Sequence, residues 1–351
     1  MLLHRLLNPT FLVPPELAHR LAIFSLKQGL YQSTSKKLPD CLGTTPLNFR
    51  VRTPIGLAAG FDKNAEVIGP IMSLGFGFVE VGTVTRIPQY GNRKPRLFRI
   101  IDKNAVINCL GFNNKGIKYL LKKVDVKDLN NLAFGINVGL NKGCKNPAEE
   151  FAELVKTVYG VSKYITINIS SPNTEGLRSL QRNRENLNAI LESVKHARRS
   201  ADHAESVPIL LKIDPDISDE TKQDIVDAVI GHKINGIIVG NTSTNFSLLG
   251  KRELPCKHGG VSGEPLFDLS TRVLSEIYSL VGDRVVLVGC GGVSTGAQAL
   301  QKIKSGASLV QLYTAMVYKG FGIVNKINLE LAELLTREGF SKVEQAVGID
   351  V

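Results

Sequence analysis

The chemistry-bearing residues of this sequence cluster after short apolar runs. The clearest case is "NISSPNTEGLR", Asn168 to Arg178, where serines, asparagines and a threonine follow the apolar run "YITI". In parallel α/β folds, side chains at the carboxyl ends of the strands meet at one mouth and bind ligands there. The segment therefore predicts a ligand site built from hydroxyl and carboxamide groups.

Similar groups follow the other apolar runs. They are Ala58, Ala59, Gly60 and Lys63; Asn108, Gly111 and Phe112; Asn137; Ser171, Asn173 and Thr174; Lys212; and Asn241 and Thr242. A single asparagine is more often a loop or cap residue, but several carboxamides at one mouth suit a ligand with amide or imide edges. The set contains no histidine and no pair of carboxylates, so we expect neither an imidazole base nor glycoside hydrolysis. The two lysines can hold negative charge.

Glycine-rich loops near the carboxyl end of the chain predict a phosphate site. Gly291 and Gly292 lie in "GCGGVSTGAQAL", just before a predicted helix, and the run "YTAMVYKG" contains Tyr313 and Thr314. A third loop, "GGVSGEP", contains Ser262 and Gly263. Loops in these positions are the usual phosphate site of an eight-stranded α/β barrel. A phosphate together with amide-reading groups suggests flavin mononucleotide (FMN) as the cofactor.

Eight apolar, β-branched runs must position these groups. They span residues 55–60, 78–85, 133–140, 164–170, 208–214, 236–241, 285–291 and 309–315. Helical stretches such as "NLNAILESVKHARRS" separate most of them, which predicts a (β/α)8 TIM barrel of the α/β class. No Gly-x-Gly-x-x-Gly motif follows the first run, which counts against a Rossmann domain. The insertion "RLFRIIDKNAVINCL" predicts a β-hairpin over the barrel top.

The amino-terminal residues 1–38 form a predicted helical extension, and residues 39–351 form the predicted barrel domain. Two short helices are expected, "MLLHRLL" and "PELAHRLAIFSLKQGLY", each with an apolar face and a basic edge. Such a pair could lie in a membrane interface. It could equally be a helical cap that packs on the barrel.

Composition adds few constraints. The 351 residues include 43 Lys and Arg against 32 Asp and Glu, and the net charge of +11 suits either an anionic partner or an ordinary soluble surface. The five scattered cysteines show no metal-ligand spacing, so no metal site is expected, and they favour a reducing compartment. No apolar run is long enough to cross a membrane.

Six motifs together resemble the dihydroorotate dehydrogenase family. They are "GLAAGFDKN", "GFGFVEVGTVT", "GNRKPRLFRI", "INCLGFNNKG", "NISSPNTEGLR" and "GGVSGEPL". The membrane-associated, quinone-reducing class (class 2) is most similar, because Ser171 stands where the cytosolic classes carry cysteine and because a helical extension precedes the barrel.

The resemblance implies that (S)-dihydroorotate is oxidised to orotate in pyrimidine (UMP) biosynthesis, with FMN as hydride acceptor. Ser171 would be the general base for the C5 proton, with Thr174 in a water-linked relay and Phe112 shaping the site. The implied substrate-binding residues are Lys63, Asn108, Gly111, Phe112, Asn168, Asn173, Asn241 and Thr242. The implied FMN-binding residues are Ala58, Ala59, Gly60, Lys63, Thr83, Asn137, Asn168, Lys212, Gly240, Ser262, Gly263, Gly291, Gly292, Tyr313 and Thr314.

The resemblance also implies a quinone tunnel under the helices, flanked by His19, Arg99 and Tyr313. The expected partners are dihydroorotate and orotate, a membrane quinone (ubiquinone or menaquinone) and the lipid surface. No nucleic-acid partner is expected, and the protein is expected to be a monomer. A peripheral position on the cytoplasmic side of a bacterial inner membrane is expected, or the mitochondrial inner membrane if a transit segment is missing.

Three residues depart from the family pattern. Cys109 stands where many relatives carry Arg, Gly240 replaces a usual Thr, and Asp214 stands where Ala is common. Three other functions remain alternatives: a tRNA dihydrouridine synthase, a non-redox phosphate-binding isomerase barrel, and a membrane scaffold without catalysis. The first would bind tRNA with a steep salt dependence, and the second would be colourless.

Overall fold

Eight parallel strands close into a barrel in this computed structural model, which describes residues 12–31, 33, 37–124, 129, 131–200 and 207–351. The barrel strands are β1 (Ile55–Leu57), β2 (Phe78–Val84), β5 (Phe134–Val138), β6 (Tyr164–Asn168), β7 (Ile209–Ile213), β8 (Gly236–Val239), β10 (Val286–Cys290) and β11 (Leu309–Leu312). Their order around the barrel is β1-β11-β10-β8-β7-β6-β5-β2. The predicted TIM barrel is therefore confirmed.

Each predicted apolar run begins at the observed strand or one residue before it, and ends one to three residues beyond it. Burial explains the agreement, because nearly every residue of these strands is inaccessible to solvent and is apolar or β-branched. The overshoot falls on the residues that leave the strands at the barrel mouth, which include most of the predicted site.

Eleven α-helices are described, and most of them cover the outside of the barrel. They are α1 (Pro15–Lys27), α2 (Ile68–Ser73), α3 (Ile117–Val124), α4 (Pro147–Val158), α5 (Leu177–Arg182), α6 (Arg184–Arg199), α7 (Asp219–Gly231), α8 (Phe267–Val281), α9 (Gly296–Lys304), α10 (Thr314–Lys319) and α11 (Ile323–Arg337). Polar caps begin several of them: Asn146, Asn183, Ser218 and Thr295 each accept a hydrogen bond from a backbone N–H of the first turn.

The barrel interior changes from apolar to polar along the strands. Its amino-terminal end is a cluster of bulky side chains that includes Phe78, Tyr164, Leu210, Ile238 and Leu309. Two residues further along β2, β6 and β11, the inner face carries Glu80, Thr166 and Gln311 instead. Because side chains of a strand alternate between its faces, these residues follow the apolar cluster toward the mouth.

A second sheet roofs the mouth of the barrel. Strands β3 (Leu97–Ile100) and β4 (Ala105–Asn108) form the predicted antiparallel hairpin, with Leu97 opposite Asn108. A third strand, β9 (Gly260–Gly263), pairs with β4 and was not predicted, since we interpreted "GGVSGEP" only as a ligand loop. The interpretation was incomplete because glycine and serine have low strand propensity, and this strand forms by pairing with the hairpin.

Helix α1 docks on the hairpin insertion through charge. Glu16 forms ion pairs with Arg96 at 2.6 Å and with Lys94 at 3.2 Å, and Lys27 pairs with Glu66 at 3.1 Å. The second predicted amino-terminal helix is thus confirmed, whereas the first, residues 1–7, lies outside the described residues. Within the described ranges, no helix is long and apolar enough to span a membrane.

Gly135 on β5 gives a test of interior packing. A Cβ atom at this position would lie 2.2–2.5 Å from ring atoms of the buried Tyr164, so we expect Gly135→Ala to lower the free energy of unfolding by about 2 kcal/mol or more. Gly231, at the end of α7, has no atom within 4 Å of such a Cβ and is the matched control. Equal urea midpoints for the two alanine variants would contradict the packing assignment.

Candidate active site

A cavity of about 700 Å³ opens between the barrel mouth, the roof sheet and helix α1. Most of the predicted site residues line it: Ala58, Ala59, Gly60, Lys63, Thr83, Asn108, Gly111, Phe112, Asn168, Ser171, Asn173, Lys212, Gly240, Asn241, Thr242, Ser262, Gly263, Gly291, Gly292, Tyr313 and Thr314, together with His19 and Arg99 of the predicted tunnel. Asn137 and Thr174 are not among the lining residues. The barrel thus brings together groups that are scattered over the whole sequence.

Glu80 lies at the base of this site and was missed by the sequence analysis. Its carboxylate is fully buried. Four side chains donate hydrogen bonds to it: Asn137 (2.7 Å), Gln311 (2.9 Å), Thr166 (3.1 Å) and Tyr164 (3.2 Å). Every partner is a neutral donor, so the negative charge is satisfied by hydrogen bonds rather than by a cation.

These bonds orient a chain of carboxamides above Glu80. The Asn137 side-chain amide donates a hydrogen bond to Glu80. Its Oδ1 therefore points away from Glu80 and accepts hydrogen bonds from Thr83 (2.6 Å) and from Asn168 (3.2 Å). Asn168 in turn uses its Oδ1 to accept from Ser170 (2.9 Å) and from Asn241 (3.4 Å). Asn137 is therefore held beneath the cavity wall, where it fixes the residues that line the wall.

Ser171 lies at the mouth, on the loop after β6. Its hydroxyl is buried and accepts a hydrogen bond from the backbone N–H of Asn173 at 3.3 Å. The Asn173 side chain donates to Asn108 Oδ1 at 2.8 Å, which ties the loop to the roof. The Thr174 hydroxyl is buried and has no hydrogen-bond partner among the described residues. Water or a ligand group could satisfy it.

Two lysines bring positive charge into the cavity. Lys212 is buried on β7, and its ammonium makes no hydrogen bond to any described residue, so it is available to a ligand. Lys63 donates to the carbonyl of Gly60 at 2.6 Å. Burial and the nearby Arg96 lower the pKa of Lys63 to about 8, so it is still mainly charged at neutral pH. An anionic ligand would raise this pKa and be bound more firmly.

The arm of the cavity under α1 is mainly apolar. Its lining includes Ala18, Ala22 and Phe61. His19 packs edge-on against Phe61, with ring centroids 5.3 Å apart, and burial together with the positive charge of Lys63 lowers its pKa to about 3. The imidazole is therefore neutral at physiological pH, and this arm suits an uncharged ligand.

The predicted phosphate loops also line the cavity. Gly263, Gly291 and Gly292 have φ angles of 102°, 119° and 80°, in the region that favours glycine. A Cβ at Gly292 would lie 2.4 Å from Phe267 Cα, so the loop packs directly on the start of α8. Thr314 donates to Ser262 at 2.9 Å, which joins the β11 loop to the roof strand β9.

The three departures from the family pattern have structural partners. Asp214 is fully buried and lies 3.4 Å from both Arg178 and Arg182, so it ties α5 to the barrel and does not line the cavity. Cys109 is buried in the roof, where its thiol donates to the carbonyl of His258 at 3.0 Å. Gly240 lines the cavity and packs on Pro215.

Other lining residues were also missed. Phe61, Gln311, Leu312, Glu264 and Tyr318 line the cavity but do not stand out in the sequence. Tyr318 could have been found, because it lies one helical turn after Thr314 on α10. Across the described part of the chain, no cluster of three or more His, Cys, Asp or Glu residues is arranged to hold a metal ion.

Comparisons with known proteins agree with this geometry. The family model for dihydroorotate dehydrogenase matches residues 41–335. The chain belongs to the dihydroorotate dehydrogenase family. A relative from Rhizobium meliloti, named dihydroorotate dehydrogenase (quinone), is 43% identical over 95% of this chain and 92% of its own length. The mitochondrial dihydroorotate dehydrogenase (quinone) of Oryza sativa subsp. japonica is 41% identical over 99% of this chain and 80% of its own.

Solved structures of the family show the same fold. The crystal structure of the Eimeria tenella dihydroorotate dehydrogenase in complex with ferulenol superposes with a TM-score of 0.90, at 33% identity over 98% of this chain and 99% of the other. The ligand-free form from the same organism gives a TM-score of 0.91 at 34% identity. The Rhizobium meliloti and Oryza sativa relatives are both named as quinone enzymes, and the chain belongs to this quinone-dependent class, class 2.

Glu80 gives a test of the site's support. We expect Glu80→Gln to lower the free energy of unfolding by about 3 kcal/mol. Both carboxylate oxygens accept hydrogen bonds, and the glutamine NH2 group would replace one of them with a donor that faces other donors. Glu153→Gln is the control, since its ion pair with Arg86 is exposed and worth at most about 1 kcal/mol. Denaturant unfolding measures both, and a Glu80→Gln loss no larger than the control's would refute the role.

Proposed function

We propose that this protein oxidises (S)-dihydroorotate to orotate and passes the electrons through FMN to a membrane quinone. Membership of the family supports the reaction. The observation that carries the proposal is the single cavity, which joins a carboxamide-lined mouth to an apolar arm under α1. One end suits a flat substrate with imide edges, and the other suits an uncharged, apolar electron acceptor.

Ser171 is the proposed general base for the C5 proton. Its hydroxyl is buried at the cavity wall and is held by the backbone N–H of Asn173. A serine hydroxyl is a weak base, so the proton needs an onward path. The Thr174 hydroxyl, which is buried without a hydrogen-bond partner among the described residues, supports a relay through an ordered water, and Phe112 shapes the cavity that it lines.

The carboxamides are the proposed substrate clamp. Asn108, Asn168, Asn173 and Asn241 can match both donors and acceptors of a pyrimidine edge, and Thr242 and Gly111 line the cavity with them. The Thr242 hydroxyl is buried without a partner within the described residues, which leaves it for a ligand. Lys63 supplies the positive charge that a substrate carboxylate requires.

The residues of the barrel mouth fit FMN. Bound FMN would accept a hydride from the substrate and release electrons singly to a quinone. Lys212 would stabilise negative charge on the ring, since its buried ammonium has no other hydrogen-bond partner among described residues. Ala58, Ala59, Gly60, Thr83 and Gly240 would contact the ring system, with Asn137 holding Thr83 from below. Ser262, Gly263, Gly291, Gly292, Tyr313 and Thr314 would hold the phosphate end.

The arm under α1 is the proposed quinone tunnel. His19, Arg99 and Tyr313 line it, and the neutral imidazole places no charge against an apolar ring. On α1, Leu17 and Phe24 lie outside the cavity lining and are 44% and 55% exposed, and Leu21, which also lines the cavity, is 51% exposed. Apolar exposure of this kind supports docking on a lipid surface. We therefore propose a monomeric, peripheral protein of the bacterial or mitochondrial inner membrane, with residues 1–38 as its membrane-contacting part.

The reaction is tested by anaerobic stopped flow on the purified protein. Dihydroorotate should bleach the flavin absorbance, and a soluble quinone should restore it, whereas fumarate and NAD should not. Restoration by fumarate or NAD would keep the oxidation and overturn the quinone assignment. Failure to bleach would overturn the proposed reaction, and binding of tRNA or an absence of flavin would then favour the alternative barrels.

A variant that narrows the proposed quinone tunnel can be tested in the same stopped-flow assay. Ala18 lines the arm, so Ala18→Phe should obstruct it and raise the KM for quinone on the order of tenfold. Flavin reduction by dihydroorotate should be unchanged. Leu17→Phe, one residue away and outside the cavity lining, is the control and should leave both steps unaffected. Equal quinone kinetics in the two variants would exclude this path.

Ser171→Ala tests the base. The orotate dissociation constant and the flavin spectrum should stay close to those of the wild type, because the carboxamides remain in place. The rate of flavin reduction by dihydroorotate should fall by about 10²- to 10⁴-fold, as expected for loss of a positioned base. A reduction rate within a few-fold of wild type would remove Ser171 from this role.

A further inference from the structure

Lys302 is a fully buried cation that the proposed mechanism does not use. It lies on α9, and its side chain is 0% exposed. Its ammonium donates to the hydroxyls of Ser270 at 2.9 Å and of Thr271 at 3.0 Å, both near the start of α8. It also lies 5.3 Å from the centre of the Phe267 ring. All three contacts are neutral.

No carboxylate among the described residues forms an ion pair with Lys302. Burial of a charge without a countercharge is costly, and it lowers the pKa of Lys302 to about 7. The half-buried thiol of Cys290 on β10, which also lines the cavity, is the titratable group whose charge interacts with Lys302. An anion bound nearby would supply the missing compensation.

The contacts of Lys302 lead directly to the glycine loop. Ser270 accepts from Lys302 and lies 3.1 Å from the carbonyl of Gly291, to which its own hydroxyl can donate. Phe267, whose ring lies beside the ammonium, packs on Gly292. Gly291 and Gly292 both line the cavity. The cation therefore lies one layer behind the loop that we assign to the phosphate.

We propose that Lys302 is the buried countercharge for the phosphate of the bound mononucleotide, acting through Ser270 and the Gly291–Gly292 loop. It is a positioning residue, because it reaches the cavity only through these groups. The inference rests on the proposed function, since it needs FMN as the ligand. In this proposal, Lys302 compensates the negative charge of the phosphate without contacting it.

Riboflavin provides the discriminating probe, because it has the same ring system and lacks the phosphate. Flavin-free protein would be titrated with FMN and with riboflavin, and quenching of flavin fluorescence would give both dissociation constants. Lys302→Met keeps the length of the side chain and removes the charge. We expect FMN binding to weaken on the order of tenfold, as for loss of one buried charge, and riboflavin binding to change less than about twofold.

Two further variants separate charge from packing. Thr271→Val removes the second hydroxyl partner of Lys302. The Thr271 hydroxyl donates to the Phe267 carbonyl and not to the glycine loop, so the ratio of FMN affinity to riboflavin affinity should be unchanged. Ser270→Ala removes the hydrogen bond to the Gly291 carbonyl and should lower the ratio of FMN affinity to riboflavin affinity. It also tests the proposal if Lys302→Met does not fold.

The outcomes are distinct. Selective weakening of FMN in Lys302→Met and Ser270→Ala supports the proposal. Equal weakening of both flavins would mean that Lys302 only joins α8 to α9, and would overturn it, as would unchanged affinities. Wild-type protein that binds neither flavin would overturn the cofactor assignment itself, and this inference with it.

Discussion

The site depends on one buried carboxylate. Glu80 accepts hydrogen bonds from strands β5, β6 and β11, so it fixes which end of the Asn137 carboxamide faces upward. That choice sets the orientation of Asn168, and through it that of Asn241. Carboxamides can flip at little cost when isolated, but here each is fixed by the one below it. The acceptors and donors presented to the cavity therefore follow from a residue that does not touch it.

Much of the fold could be predicted because burial constrains the sequence strongly. The eight barrel strands are buried on both faces, so they appear as apolar, β-branched runs with polar residues at their ends. Strand β9 could not be found this way. Its glycines and serine have no intrinsic preference for a strand. They form a strand only because β4 offers an unpaired edge. Pairing over such a distance in the chain leaves no local signal.

The same distinction applies to the site. Residues at the strand ends, such as Asn168 and Lys212, could be predicted because the barrel delivers every strand to one mouth. Glu80 and Asn137 could not be assigned to the inner layer, because a buried strand gives no indication of which face points inward. Lys302 looks like an ordinary surface lysine of an amphipathic helix in the sequence. Only its packing against α8 shows that it is buried.

The roof sheet has a consequence for the order in which the protein matures during synthesis. Asn108 on β4 pairs with Gly260 on β9, so the roof cannot be completed until about three quarters of the chain has left the ribosome. Strand β1 pairs with β11, so the barrel cannot close until residues 309–312 have been synthesised. Until that moment the polar inner layer has no finished wall around it. The cavity at the barrel mouth is therefore completed late, because its wall needs pairings between strands that are far apart in the chain.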